Sequence, residues 1–308
     1  MNILVVGLGS IGTRQARILR DRLKCDVAAL RFKGRGNALG LPEYYSWKDA
    51  AAAGTWDAAI IANPTHQHIP AALKCAAMKM NVFIEKPLSG NSRGIAALRS
   101  LCRRNGVLCY VAYPLRFHPV ILKARELLAT VRPFYARAVC ASYLPDWRPG
   151  RDVKTVFSSK RREGGGVILE LSHEFDYFSF LFGPLRSISG VKGRISGVTV
   201  DSEDFTDADL VFPKGLKAQI HLDYFSRRTE RWFQVDFADG FLRGDLTAST
   251  LIFSCRGREQ VLNFSADRDD YLEAQLRYFL GRIGKKDIMN DLREATPLLE
   301  KLLRFRHA

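Results

Sequence analysis

The sequence predicts an α/β protein: a doubly wound parallel sheet followed by an α+β domain on a large, mostly antiparallel sheet. Three observations predict it. Strand and helix patterns alternate through residues 1–118, as crossover connections in a parallel sheet require. A glycine-rich turn, Gly7-Leu-Gly-Ser-Ile-Gly12, joins the first strand to the first helix. Beyond residue 118 strand follows strand, separated by turn signals such as Pro213-Lys-Gly and Ala238-Asp-Gly.

The elements justify themselves in order. Ile3 to Val6 is an unbroken apolar run and reads as a buried parallel strand. Thr13 to Leu23 has helical periodicity, and Asp26 to Leu30 is a second strand. Trp56 to Ala62, Asn81 to Glu85 and Val107 to Ala112 continue the sheet, with helices expected at about 69–78 and 92–105. Later strands are expected at 137–143, 185–194, 204–212, 216–224 and 231–237, with shorter ones at 241–246, 250–254 and 259–263. One helix, 167–182, lies among them, and helices at 270–283 and 293–305 follow. The expected domains are 1–118 and 119–308, with the C-terminal helix free to pack back on the first.

Composition narrows the function classes. The 308 residues are 47% hydrophobic and 26% charged, normal for a chain with a full core. No apolar stretch approaches membrane-spanning length. The first residues read as a strand rather than a signal-peptide core, so a cytoplasmic location is expected. Six cysteines are scattered with no C-x-x-C pair, so neither a disulfide framework nor a metal site is expected. Forty-seven Lys and Arg against 32 acids give a formal charge of +15. The cations are spread along the chain without a nucleic-acid motif, and a phosphorylated cofactor or substrate accounts for them as well; no nucleic-acid partner is expected.

The glycine turn carries the first chemistry. In G-x-G-x-x-G spacing, Gly7 permits the tight turn, Gly9 lets the backbone approach a pyrophosphate, and Gly12 allows close helix–strand packing. The pyrophosphate would sit on the free N–H groups at the helix start, so Gly7, Gly9, Ser10, Ile11 and Gly12 are candidate dinucleotide contacts. An acid near the end of the second strand usually holds the ribose 2′-OH of NAD. Here that strand ends Arg31-Phe-Lys33-Gly-Arg35. A carboxylate would repel a 2′-phosphate, whereas an Arg fork binds one, so Arg31 and Lys33 predict NADP(H) over NAD(H).

Four further motifs follow in order: Ala62-Asn-Pro-Thr-His-Gln-His68, Glu85-Lys-Pro-Leu-Ser89, Tyr113-Pro-Leu-Arg-Phe-His-Pro119 and Gly164-Gly-Gly-Val-Ile-Leu-Glu-Leu-Ser-His-Glu-Phe-Asp176. Together with the N-terminus they resemble the Gfo/Idh/MocA oxidoreductases, the glucose–fructose oxidoreductase and inositol dehydrogenase family, over nearly the whole chain. The resemblance implies a Rossmann domain joined to an α/β domain whose open sheet supports substrate and often oligomerisation. It implies an NAD(P)-dependent enzyme acting on sugars, cyclitols or sugar nucleotides, as a homodimer or homotetramer. It also implies that Asn63, Pro64, Thr65, His68 and Glu85 lie at the cofactor. Lys86 is implied to bind both substrate hydroxyl and nicotinamide ribose, its charge favouring a developing alkoxide. His173 matches the family's proton-transfer residue, a role suited to imidazole. Tyr113 and Arg116 fall at the junction that lines the site, where Arg116 either binds substrate or braces the junction.

Glu170 departs from the family pattern, which has an Asp four residues before the His rather than a Glu three before. The Ser-His-Glu-Phe-Asp variant resembles a branch found with surface-polysaccharide sugar pathways. Spacings of three place Glu170, His173 and Asp176 on one helix face. Trp147, Arg148 and Arg151, in an aromatic and cationic segment, are candidate contacts for an anionic sugar. Two other readings stay open: a nucleotide-binding sensor without turnover, and a member that retains its nucleotide for a net non-redox step such as epimerisation or glycoside cleavage.

Overall fold

A strand with no polar position needs cover on both faces, and Ile3–Val6 has it: all four side chains are fully buried at the centre of the first sheet. The computed structural model describes residues 1–32, 34, 36–150, 152–285 and 287–305. The chain divides into two units. The first is Met1–Ala112 with Arg268–Leu299; the second is Tyr113–Asp267 with the residues from Glu300 on. The late segment Arg268–Leu299 thus falls in the first unit.

In the first unit the chain forms β1 (Asn2–Val6), α1 (Ser10–Arg17), a π-helical turn (Ile18–Arg22), β2 (Asp26–Leu30), β3 (Glu43–Tyr44), α2 (Trp47–Ala52) and β4 (Ala58–Ile61). It continues with α3 (His68–Ala77), β5 (Asn81–Glu85), α4 (Ile95–Asn105) and β6 (Cys109–Ala112). The six strands are all parallel, in the order β3-β2-β1-β4-β5-β6. The order reverses between β1 and β4, and ligands of such sheets bind outside the carboxyl ends of the strands there. β3 and α2 fall outside the elements expected from pattern. β3 has two residues, too few for periodicity. α2 carried a readable signal, since Ser46 caps the Asp49 N–H at 3.1 Å.

The second unit opens with α5 (Pro119–Leu128), also unexpected, although Pro119 at its first position and His118 as its cap are helix-start chemistry. Then come β7 (Pro133–Ala141), α6 (Val167–Glu170), α7 (His173–Phe182), β8 (Ser187–Gly193), β9 (Phe205–Val211), β10 (Lys217–Asp223), β11 (Glu230–Phe237), β12 (Gly240–Asp245), β13 (Thr250–Cys255) and β14 (Arg258–Asn263). The eight strands are ordered β14-β13-β12-β11-β7-β10-β9-β8, antiparallel except for β7 beside β10. Helices α5, α6 and α7 pack on this sheet.

The expected helix 167–182 is broken. Leu171 leaves the helical region (φ −97, ψ 29), and the Ser172 hydroxyl donates to the Leu169 carbonyl at 2.8 Å, a local bond that competes with the helical ladder. Glu170 and His173 thus end one helix and begin the next rather than share a face.

After β14 the chain forms α8 (Arg268–Arg282) and α9 (Leu292–Arg304). Leu272, Leu276 and Phe279 of α8 join Ile3, Val5, Ala58, Ile60, Phe83 and Tyr110 in one buried cluster. α8 also neutralises part of the basic surface: Asp269 pairs Arg14 and Arg17, and Asp270 and Glu273 pair Arg22. Leu98 and Cys102 of α4 and Ile69, Ala72 and Cys75 of α3 are buried as well.

Candidate active site

In the first unit, four strand ends, those of β1, β2, β4 and β5, carry the expected cofactor residues. Gly7 adopts φ +95, and a side chain there would meet the Asn63 backbone at 2.9 Å. A Cβ on Gly12 would lie 2.0 Å from the Gly7 carbonyl oxygen, so only glycine lets α1 start this close to β1. The space beside Gly9 is open, with nothing within 4 Å of where its Cβ would be. No side chain caps the start of α1 and its first turn holds no acid, leaving the Ser10 and Ile11 end of the helix suited to an anion. In the loop after β4, Pro64 precedes the buried Thr65, and Asn63 Oδ1 is buried without a partner among the described residues. An open cradle, an uncapped helix end and an orphaned amide oxygen fit a dinucleotide.

Other expected cofactor residues have protein partners. His68 is 2% exposed, and its ring nitrogens face the carbonyls of Pro87 and Asn63, each at 2.9 Å. Its imidazole ties two loops together instead of reaching outward. Burial pushes its pKa down to about 4 against the pull of those carbonyls. Glu85 is buried and accepts a hydrogen bond from Gln15 of α1, a partner invisible from spacing because 70 residues separate the two. Burial raises its pKa to about 7. Lys86, half-buried, follows directly, and the Lys86–Pro87 bond is cis. Arg31 pairs with Glu43 of β3 at 2.7 Å. Lys33 and Arg35 lie outside the described residues.

In the second unit, His173 starts α7 half-buried, with the Tyr113 ring edge-on at 5.6 Å. The Tyr113 hydroxyl donates to Ser172 Oγ at 3.1 Å, and burial drives its pKa upward. Arg116 is 5% exposed, and its Nε and Nη2 form a two-pronged bond with Asp176 at 2.9 and 2.7 Å. Of the two roles open for Arg116, the geometry is that of the brace. Glu174 faces the other way and pairs with Arg231 at 2.8 Å. Glu170, 6% exposed, accepts from Ser158 at 2.7 Å, which sets it into the protein. Nothing in local sequence announces Ser158 or Ser172 as partners.

Trp147 and Arg148, with Leu144, Pro145, Val153, Val156 and Ser158, line a cavity of about 10 Å³, room for about one water. Trp147 itself is 37% exposed, its indole N–H donating to Ser142 at 2.9 Å and its ring edge-on to Tyr224. Arg151 lies outside the described residues. Among the described residues no group of three or more His, Cys, Asp or Glu could hold a metal ion, and no helix is long and apolar enough to cross a membrane.

Similarity to known proteins agrees with this architecture. Residues 1–113 match the family model described as an oxidoreductase family with an NAD-binding Rossmann fold, and residues 121–243 match the C-terminal domain of the same family. A D-xylose 1-dehydrogenase (NADP(+)) of Haloferax volcanii is 25% identical over 78% of this chain and 74% of its own length. A 2,7-anhydro-N-acetylneuraminate hydratase of Mediterraneibacter gnavus is 24% identical over 67% of this chain, a match that spans only 55% of the hydratase. Among solved structures, a UDP-N-acetylglucosamine 3-dehydrogenase of Acidithiobacillus ferrooxidans superimposes with a TM-score of 0.84 at 21% identity, covering 99% of this chain and 96% of that one. The glycine cradle on a six-stranded parallel sheet, the Glu85-Lys-Pro turn and the second domain match together along one chain, which belongs to the Gfo/Idh/MocA family of oxidoreductases.

Proposed function

We propose that the protein is an NADP(H)-preferring oxidoreductase acting on a carbon that bears a hydroxyl or carbonyl in a sugar, cyclitol or sugar nucleotide. The observation that carries this reading is the cradle at the strand-order reversal: a side-chain-free Gly9, an uncapped helix start and the unpartnered Asn63 amide oxygen. A bound nicotinamide supplies hydride transfer at its C4. The remaining work falls to this chain. His173 takes the hydroxyl proton in oxidation and returns it to the oxygen in reduction. Lys86 places a positive charge against the developing alkoxide. The Tyr113–Ser172 bond fixes the residue before His173, and the Arg116–Asp176 pair fixes α7 one turn further on.

The test is a fluorescence titration with NADPH and NADH, followed by a screen of keto-sugars and sugar nucleotides for NADPH oxidation. His173→Asn is expected to lower turnover by about 10²–10⁴-fold with nucleotide affinity kept. Turnover unchanged in that variant would remove His173 from the mechanism. The similarity to a hydratase favours one second reading, a net non-redox reaction with nucleotide retained. It predicts protein purified with cofactor bound and product formed without added NADPH.

A further inference from the structure

The end of β2 holds a carboxylate after all, but it comes from β3. Glu43 pairs in register with Ala29, and the Arg31 N–H donates to the Tyr44 carbonyl at 2.9 Å, so Arg31 continues the β2–β3 ladder. Arg31, two residues past Ala29, shares its face of the sheet and therefore meets Glu43. Both carboxylate oxygens are filled. Oε1 accepts from Arg31 Nη1 at 2.7 Å and Asn37 Nδ2 at 2.8 Å. Oε2 accepts from the Gly36 N–H at 2.9 Å and the Tyr45 hydroxyl at 2.6 Å. The Glu43 side chain is 7% exposed, and the Tyr45 hydroxyl bond leads the contacts that hold its pKa down to about 2, so it stays ionised.

The same contacts divide the Arg31 guanidinium in two. Nη1 donates to Glu43 and to the Gly36 carbonyl at 2.6 Å. The Nε–Nη2 edge has no hydrogen-bond partner among the described residues, and Gly34 passes beside it, a Cβ there falling 2.9 Å from Nη2. An Arg fork recognises a phosphate through two parallel N–H donors on one edge.

We propose that Glu43 is the residue that sets cofactor preference, clamping the Nη1 corner of Arg31 so that the Nε–Nη2 edge is presented as a ready fork for the 2′-phosphate of NADP(H). A fork already held in place loses less freedom on binding. With four donors on its oxygens, Glu43 offers no free acceptor to the 2′-OH of NAD(H), so the acid that would ordinarily favour NAD(H) serves the opposite choice. The inference rests on Arg31 binding the cofactor as proposed above.

The experiment measures dissociation constants of NADPH, NADH, 2′,5′-ADP and 5′-AMP for the full chain and for Arg31→Ala, Glu43→Ala, Glu43→Asp and Glu43→Gln. Glu43→Ala is expected to cut the NADPH-over-NADH preference by about tenfold with NADH affinity within about twofold, and 2′,5′-ADP is expected to weaken in parallel. Glu43→Gln keeps an oxygen for Arg31 and is expected to retain the preference within about threefold. Glu43→Asp keeps the charge but shortens the reach; it is expected to behave like Glu43→Ala, and it serves if the alanine variant does not fold. A purely structural role for Glu43 would weaken both nucleotides alike. Preference unchanged or increased in Glu43→Ala and Glu43→Asp overturns the clamp. If Arg31→Ala abolishes the preference while the Glu43 variants keep it, the clamp alone falls; if Arg31→Ala also keeps it, the NADP(H) reading falls with it.

Discussion

Asp176→Asn is the substitution that separates a braced Arg116 from a substrate-binding one. It preserves shape and leaves one oxygen to accept, but it removes a counter-charge from a guanidinium whose side chain is 6% exposed, opposite a carboxylate that is 1% exposed. Both charge-assisted bonds, at 2.9 and 2.7 Å, lie out of water's reach. The face of Phe180 lies 5.2 Å from the guanidinium carbon and leaves the pair its cation–π contact. Removing one member of such a pair costs about 3–5 kcal/mol. Arg116→Met/Asp176→Leu removes both charges and is expected to lose less than the sum of its single variants, with a coupling of about 2 kcal/mol or more. Urea unfolding read by far-UV circular dichroism measures the parent, Asp176→Asn, Arg116→Met, Asp176→Leu and the double variant, and the NADPH dissociation constant of each checks the cofactor site. A loss below about 1 kcal/mol for Asp176→Asn, with a raised KM for the sugar, would refute the reasoning and return Arg116 to the substrate.

Two buried groups of the first unit give stability opposite pH slopes. Glu85 is raised from 4.5 to about 7, so its contribution is present below pH 4.5 and is lost as pH rises through about 7; Glu85→Gln is expected to remove a fall of roughly 3 kcal/mol across that window. His68 is lowered from 6.5 to about 4, so its contribution is present above pH 6.5 and is lost as pH falls through about 4, and His68→Asn is expected to remove that rise. The two slopes oppose each other between pH 4.5 and 6.5, and unfolding midpoints from pH 4 to 8 would show each single variant steeper than the parent there; parallel profiles would refute both assignments. Gly9→Ala is expected to fold normally yet bind NADPH at least about tenfold more weakly, because its Cβ enters open space that the pyrophosphate needs. Gly12→Ala is expected to lower the thermal midpoint as well, its Cβ falling 2.0 Å from the Gly7 oxygen.

The parallel strands were legible because burial on both faces demands continuous apolar runs, and Asn81–Glu85 was read to the residue. The eight-stranded sheet was legible through alternation and turn residues, although β7 begins at Pro133, four residues before the expected start. α5 was overlooked despite Pro119 at its first position, because a Pro reads as a breaker unless the residues after it are tested for periodicity. The break at Leu171–Ser172 was hidden because a side-chain bond of Ser172 to a carbonyl three residues back leaves no mark on hydrophobic spacing. At the candidate site, Gly7, Gly12 and the helix start followed from local geometry, whereas His68 was expected at the cofactor and is instead held between two backbone carbonyls.

By itself the sequence determined the sheet class, the glycine turn and the loops that end the central strands, since each depends on interactions within a few residues or on a periodicity of two or 3.6. Only the tertiary structure decided which partner each charged side chain took. Arg31 with Glu43, Gln15 with Glu85, Arg116 with Asp176 and Glu174 with Arg231 join positions 12, 70, 60 and 57 residues apart. Charge and hydrogen bonding act over a few ångströms of space, and no spacing rule along a chain specifies which distant groups the fold will bring that close.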